Sequence, residues 1–200
     1  AVRAEADVVV PTDADTALLL AAKETRRYSY LRTGELPALV AADALPDDGD
    51  AILVANDDHD MVEQLREEIG YTTTPDAYVI KSVDQGGRQL LVVAGHDSAS
   101  TLRGAYRFAE LLGVGFDLAG DAIPDARIDL VLSGFDEVGE PLFATRGIQP
   151  FHDFPEGPDL WNTDDYLTVI GQLPKLGFNF IGLHTYPRYS TAEEKAAADE

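Results

Sequence analysis

FATRGIQPFHDFPEGPDLWNTDDYLTVIGQLPKLGFNFIGLHTYP, residues Phe143–Pro187, reads as a strand, a polar loop, a helix and a second strand. The strands fall at Ala144–Pro150 and Asn179–Thr185, with the helix near Asp164–Leu176 between them. Pro174 lies inside the helical stretch and, having no N–H to donate, should kink or end it. A strand–helix–strand unit of this length calls for two parallel strands joined by a right-handed crossover. Gln149, Phe151, His152 and Asp153 follow the first strand, and His184, Thr185 and Tyr186 end the second. Ligand sites gather at the carboxyl ends of such strands. The stretch is therefore read as the opening of a (β/α)8 barrel, truncated after its first repeat and a half. On that reading His152 and His184 share one rim, and the Pro174–Gly177 turn lies at the opposite end. Arg146, inside the first strand, points either into the barrel or out toward its helices.

Working back from this stretch, the preceding residues form a different pattern. Asp7–Pro11 reads as a short buried strand, and Asp13-Ala14-Asp15-Thr16 offers N-cap chemistry for a helix running to about Arg32. Ala17, Leu20, Ala21, Glu24, Tyr28 and Leu31 fall along one stripe of that helix, and Thr33-Gly34 ends it. Ala51–Ala55 is a second buried strand, followed by a short helix over His59–Ile69. Ala77–Ser82 and Gln89–Ala94 flank Asp84-Gln85-Gly86-Gly87, a hairpin signal. A helix from about Ser100 to Leu112 places Leu102, Ala105, Tyr106, Ala109 and Leu112 on one face. Val114–Leu118 and Ile128–Leu132 are weaker strand candidates. The expected architecture is an α+β domain over residues 1–138, a β-α-β-β-α sheet with helices on one face. Residues 139–200 would hold the first βαβ unit of the barrel.

Charge narrows the choice of partners. The chain carries 15 basic against 36 acidic residues, a formal net charge of −21. Four of the basic residues are lysines (Lys23, Lys81, Lys175, Lys195). Such a field repels nucleic acid and anionic membranes. An acidic, lysine-poor surface suits a salt-rich medium, where screening removes self-repulsion. The clusters at Asp47–Asp50 and Asp57–Asp60 do not match the D-x-[DN]-x-[DN]-G calcium loop and are read as solvated surface. With no cysteine, neither disulfides nor thiolate metal sites arise. No apolar run approaches the roughly 18 residues of a membrane span. The opening AVRAEADVVVPTD lacks the pattern of a secretory leader. Gly113-Val114-Gly115 closes a helix rather than opening one, the wrong context for a dinucleotide loop, so no cofactor is called for.

The hairpin followed by AGHDSASTLRGAYRFAELLGVGF is similar to the N-terminal sheet domain that precedes the barrel in α-glucuronidases and β-hexosaminidases. The residues carrying that likeness are Gly104, Ala105, Tyr106, Arg107, Glu110, Leu111 and Gly113. Arg146-Gly147 on a strand, then Trp161, Asp165, Tyr166 and Gly177-Phe178-Asn179, resemble the opening of the barrels in that group. The segment GIQPFHDFPEGPDLW departs from their pattern. The resemblance covers roughly Asp7–Pro187 and implies part of a glycoside hydrolase acting on poly- or oligosaccharides, extracellular or periplasmic. Its catalytic carboxylates would come from later strands. Two other readings stand beside it: a non-catalytic carbohydrate-binding or interaction module, and a barrel enzyme of another class, such as a lyase.

The site residues follow from this. By resemblance Arg146 contacts sugar hydroxyls, since its fork suits vicinal oxygens; a structural ion pair is the competing role. His152 lies in the loop after the first strand and His184 at the presumed rim. Trp161, the single tryptophan, stacks on a sugar ring or packs at the helix start. Asp153 and Glu156 read as loop-capping or solvated acids. His152, Asp153 and His184 lack the spacing of a metal motif such as H-E-x-x-H, so no metal is expected.

Overall fold

The computed structural model describes residues 6–150 and 158–183. In chain order the elements are β1 (Asp7–Val10), α1 (Thr16–Thr33), β2 (Leu39–Ala41), β3 (Ala51–Asn56), α2 (Asp60–Glu63), α3 (Arg66–Ile69), β4 (Tyr78–Gln85) and β5 (Arg88–Gly95). They continue with α4 (Ser98–Leu111), β6 (Gly115–Asp117), β7 (Gly120–Ala122), β8 (Asp136–Gly139), β9 (Gly147–Ile148), a 3₁₀ turn (Pro158–Leu160), α5 (Thr163–Gln172) and β10 (Phe180–Ile181). Six strands form one sheet in the order β2-β1-β3-β5-β4-β8. β2, β1, β3 and β5 are mutually parallel; β4 runs against them, and β8 pairs antiparallel with β4 and so runs in the common direction again.

Parallel strands covered on both faces read as unbroken apolar runs, and β3 and β5 do. Their side chains divide with a period of two. Val8, Val10, Ile52, Val54, Ile80, Leu91 and Val93 pack with α1 and α4 on one face. Val9, Ala51, Leu53, Ala55, Val79, Leu90, Val92 and Ala94 pack with Met61, Val62, Leu65 and Ile69 of the α2–α3 segment on the other. The expectation of helices on one face is corrected here. The expected helix over 59–69 is two short helices, which close the second face.

Local chemistry sets the helix limits. The Asp15 carboxylate accepts from Leu18 N at 2.8 Å, and Gly34 closes α1 at φ 82°. The buried face of α1 is displaced from the apolar stripe: Leu20 is exposed, while Thr25, Ser29, Arg32 and Thr33 are buried. Burial of polar groups is tolerated where they find partners. Ser29 and Thr33 hydroxyls donate to Thr25 O and Ser29 O, each at 2.8 Å. Arg32 donates to Leu112 O, Pro124 O and Ala126 O at 2.7–2.8 Å. In α4, capped by Asp97, Leu102, Ala105, Tyr106 and Ala109 are buried as the periodicity predicts.

β6 and β7 form a separate two-stranded hairpin. Ile128–Leu132 is no strand; Ile128 N donates to Arg32 O as the segment crosses the end of α1. β9 and β10 pair in parallel, Gly147 opposite Phe180 and Ile148 opposite Ile181, with α5 between them. Both strands are shorter than expected, and the stretch beyond Leu183 lies outside the described residues. Asn162 and Asp165 form a capping box at the start of α5, which ends at Gln172, two residues before Pro174.

Candidate functional site

Because β9 and β10 run the same way, their carboxyl ends open on one rim. The chain leaves β9 there and returns through α5, so the first turn of α5 lies at that rim. Trp161 stands beside it, half-buried, with its ring edge-on to Tyr166 at 5.2 Å and 75°. Tyr166 Oη donates to Pro158 O at 2.9 Å and Trp161 N donates to the same carbonyl at 3.2 Å, which sets the ring pair on the 3₁₀ turn. This edge-to-face pair is packing at the helix start, one of the two roles the sequence leaves for Trp161. His152, Asp153, Glu156 and His184 lie outside the described residues.

Arg146 sits at the other end of the unit, one residue before β9 rather than inside it. Its Nε donates to Gly177 O at 2.9 Å and its Nη1 to Phe143 O at 2.6 Å. Its backbone N donates to Asn179 Oδ1 at 2.9 Å, and Asn179 Nδ2 donates to Ala144 O at 2.8 Å. These contacts tie the approach to β9 to the turn before β10. Arg146 and Trp161 therefore stand at opposite ends of the strand pair.

That lower end rests on the six-stranded domain through residues the sequence reading did not single out. Asp121, in β7, accepts from Lys175 Nζ at 2.7 Å, Tyr28 Oη at 2.8 Å and Arg27 Nη1 at 3.2 Å. Lys175 also lies over the Phe116 ring, which meets Tyr28 edge-on at 5.5 Å. Burial alone would raise the Asp121 carboxyl, but the hydrogen bonds from Lys175 and Tyr28 outweigh it and hold its pKa below the usual range. Burial likewise pushes the Tyr28 hydroxyl upward, with Asp121 as its acceptor adding to the shift. A lysine directly after a helix-ending proline was the one available sequence signal.

A second polar feature lies at the carboxyl ends of β1 and β3. Pro11, Asp13, Asp15, Asn56, Asp58, His59 and Ser98 line a crevice of about 260 Å³. Asn56 bridges Ser98 Oγ and Thr101 Oγ1 at 3.1 and 3.0 Å. Among the described residues no group of His, Asp and Glu side chains is arranged to hold a metal ion. No described helix is long and apolar enough to cross a membrane.

No protein-family model matches the chain, and no curated protein matches it. Solved structures do. One is a family GH115 4-O-methyl-α-glucuronidase, BtGH115A, with specificity for decorated arabinogalactans; it is 17% identical with a TM-score of 0.56, over 91% of this chain and 25% of that one. Another is CpGH84D, 14% identical with a TM-score of 0.59, over 98% of this chain and 32% of that one. The chain thus has a mixed α/β fold similar to glycoside hydrolase domains, and spans a third or less of the length of these two structures.

Proposed function

We propose that the six-stranded domain is an accessory domain and that β9–α5–β10 is the first unit of a (β/α)8 barrel in a glycoside hydrolase acting on poly- or oligosaccharides. The observation that carries this reading is the parallel pairing of β9 with β10 across α5, seated by its amino-terminal end on the sheet domain. Apolar exposure supports it: Leu167 is 67%, Phe180 49% and Ile170 48% exposed, the faces that neighbouring strands and helices of a barrel would cover. The break between the two parts falls after β8, near Glu140. Trp161, His152 and His184 belong to the substrate rim in this scheme. The carbonyl contacts of Arg146 support a bracing role rather than sugar contact. The acid pair of a glycosidase would come from later strands of a longer polypeptide, working outside the cytoplasm. The charge of −21 argues against nucleic-acid partners.

Binding tests this reading through the single tryptophan. In the parent polypeptide, Trp161→Phe should raise KM for an oligosaccharide severalfold with little change in kcat, the signature of lost uniform binding. An unchanged KM would remove Trp161 from the rim.

The crevice lined by Asn56, Asp58 and His59 favours a second reading, a carbohydrate-binding module. Oligosaccharide binding by the 200-residue chain, abolished by Asn56→Ala and untouched by Trp161→Phe, would establish it in place of the first.

A further inference from the structure

Two arginines meet at the seam between the sheet domain and the β9–α5–β10 unit. Arg103 projects from α4 and Arg146 from the approach to β9. Two adjoining cavities of about 270 and 220 Å³ are both lined by Arg103, Arg146 and Gly177. Arg103 Nη2 donates to Asp76 O and, at 3.4 Å, to Gly139 O, and its guanidinium lies 5.0 Å from the centre of the Tyr78 ring. Arg146 uses Nε and Nη1 on the carbonyls of Gly177, Phe143 and Ala144. Among the described residues, Nε and Nη1 of Arg103 and Nη2 of Arg146 have no hydrogen-bond acceptor.

The acids around this pair do not neutralise it at hydrogen-bond distance. Asp76 Oδ2 stands 3.9 Å from Arg146 Nη1. Asp97 is engaged as the cap of α4, accepting from Ser100 N and Oγ at 2.8 and 2.7 Å. Glu140 accepts from Tyr71 Oη and, at 3.5 Å, from Thr74 Oγ1. In a chain with 36 acids and 15 bases, two neighbouring guanidinium groups short of acceptors are an anomaly. None of these open donors is among the buried unpaired side-chain atoms, so they face the cavities and can take an anion in place of water. Burial, followed by the charge of Arg146, depresses the pKa of Arg103, a tension a bound anion relieves.

We propose that this seam binds a small monovalent anion, a halide or a carboxylate, between Arg103 and Arg146. A planar guanidinium fork matches the two oxygens of a carboxylate, and its charged N–H donors can also converge on a single halide. Against the roughly 30 Å³ that one water occupies in the liquid, the larger cavity has room for a chloride with hydrating waters or for an acetate-sized carboxylate. The anion ties α4 to β9 and so joins the two parts of the chain. It also makes part of the salt response saturable and dependent on which anion is present. Charge screening depends on ionic strength alone.

Chloride-35 line broadening on the 200-residue chain tests this, together with crystals soaked in sodium bromide. The expected result is a saturable broadening, weakened about tenfold or more by Arg103→Gln and by Arg146→Gln, and a bromide peak within hydrogen-bond reach of both guanidinium groups. Acetate that displaces chloride identifies a carboxylate as the shared ligand; failure to displace it identifies a halide site. Broadening that neither substitution changes, or bromide crystals with no peak at the seam, overturns the proposal. Should Arg146→Gln fail to fold by circular dichroism, the wild-type bromide crystal and Arg103→Gln decide the matter.

Discussion

Lys175 Nζ lies 2.7 Å from Asp121 Oδ1 across 54 residues of sequence, and this pair joins the end of α5 to the β6–β7 hairpin. Both side chains are largely shielded, at 12% and 9% exposure. A shielded ion pair is a weak source of net stability, but removal of one partner leaves the other charge uncompensated. Asp121 also receives Tyr28 and Arg27, so its loss takes the acceptor from Lys175 and Tyr28, while Arg27 keeps Glu24 at 3.3 Å.

Asp121→Ala is therefore expected to lower unfolding free energy by about 3 kcal/mol. Lys175→Met should cost less, because Asp121 keeps two donors. A double-mutant cycle on the pair should return a coupling of about 1 kcal/mol or more, read from urea unfolding. Simple additivity would show that the contact contributes nothing.

The same carboxylate sets an acid limit. Its folded pKa is depressed, so its stabilisation is fully present above the unfolded value of about 3.9 and is lost as pH falls through the folded value. Asp15, lowered chiefly by the Leu18 amide, adds to the same window, and so does Asp97, where bonds from Ser100 outweigh burial. Stability should hold from neutrality to about pH 4 and fall below it. Asp121→Asn should flatten that fall. An acid transition centred at pH 6 would assign it to other groups.

Gly147 is the contact point of the strand pair. A Cβ at this position would stand 2.1 Å from Phe180 O, which leaves no room for a side chain. Gly147→Val should abolish hydrogen-exchange protection at Phe180 N and Gly182 N, which donate to Arg146 O and Ile148 O. The amides of β5 should keep theirs, since that strand is buried in the other sheet. Equal loss in both places would show that the two parts unfold as one.

Net charge governs the response to salt. With −21 and few lysines, the thermal midpoint should rise between 0.1 and 2 M potassium chloride, as the Debye length shortens from about 10 Å to under 3 Å. A flat or falling midpoint would count against adaptation to a salt-rich medium.

How much of this was legible depended on whether the signal was local. Gly86-Gly87, at φ 69° and 97°, announced the β4–β5 turn, and Asp15, Gly34 and Pro174 marked helix limits through chemistry within a few residues. β8 reads Asp-Glu-Val-Gly, in which Val138 alone favours a strand; it forms because β4 offers it a ladder. The true buried face of α1 was hidden because Thr25, Ser29 and Arg32 look solvent-bound, and the carbonyls of Leu112, Pro124 and Ala126 that hold Arg32 come together only once the chain packs. The α2–α3 cover on the second face was hidden for a related reason: two four-residue helices present no periodicity. Of the expected site residues, Trp161 packs edge-on against Tyr166 at the start of α5. Arg146 could not be placed from sequence, because the Gly177 turn that holds it is 31 residues away.

Turnover of aryl glycosides, by this 200-residue chain and by a longer polypeptide that would complete the proposed barrel, tests the central claim most directly. The account predicts no turnover by the chain alone. It predicts turnover by the longer polypeptide, which should add roughly 200 or more residues to complete a barrel of about 250. Enzyme-specific turnover by the chain itself, or a reading frame that closes at residue 200, would contradict it.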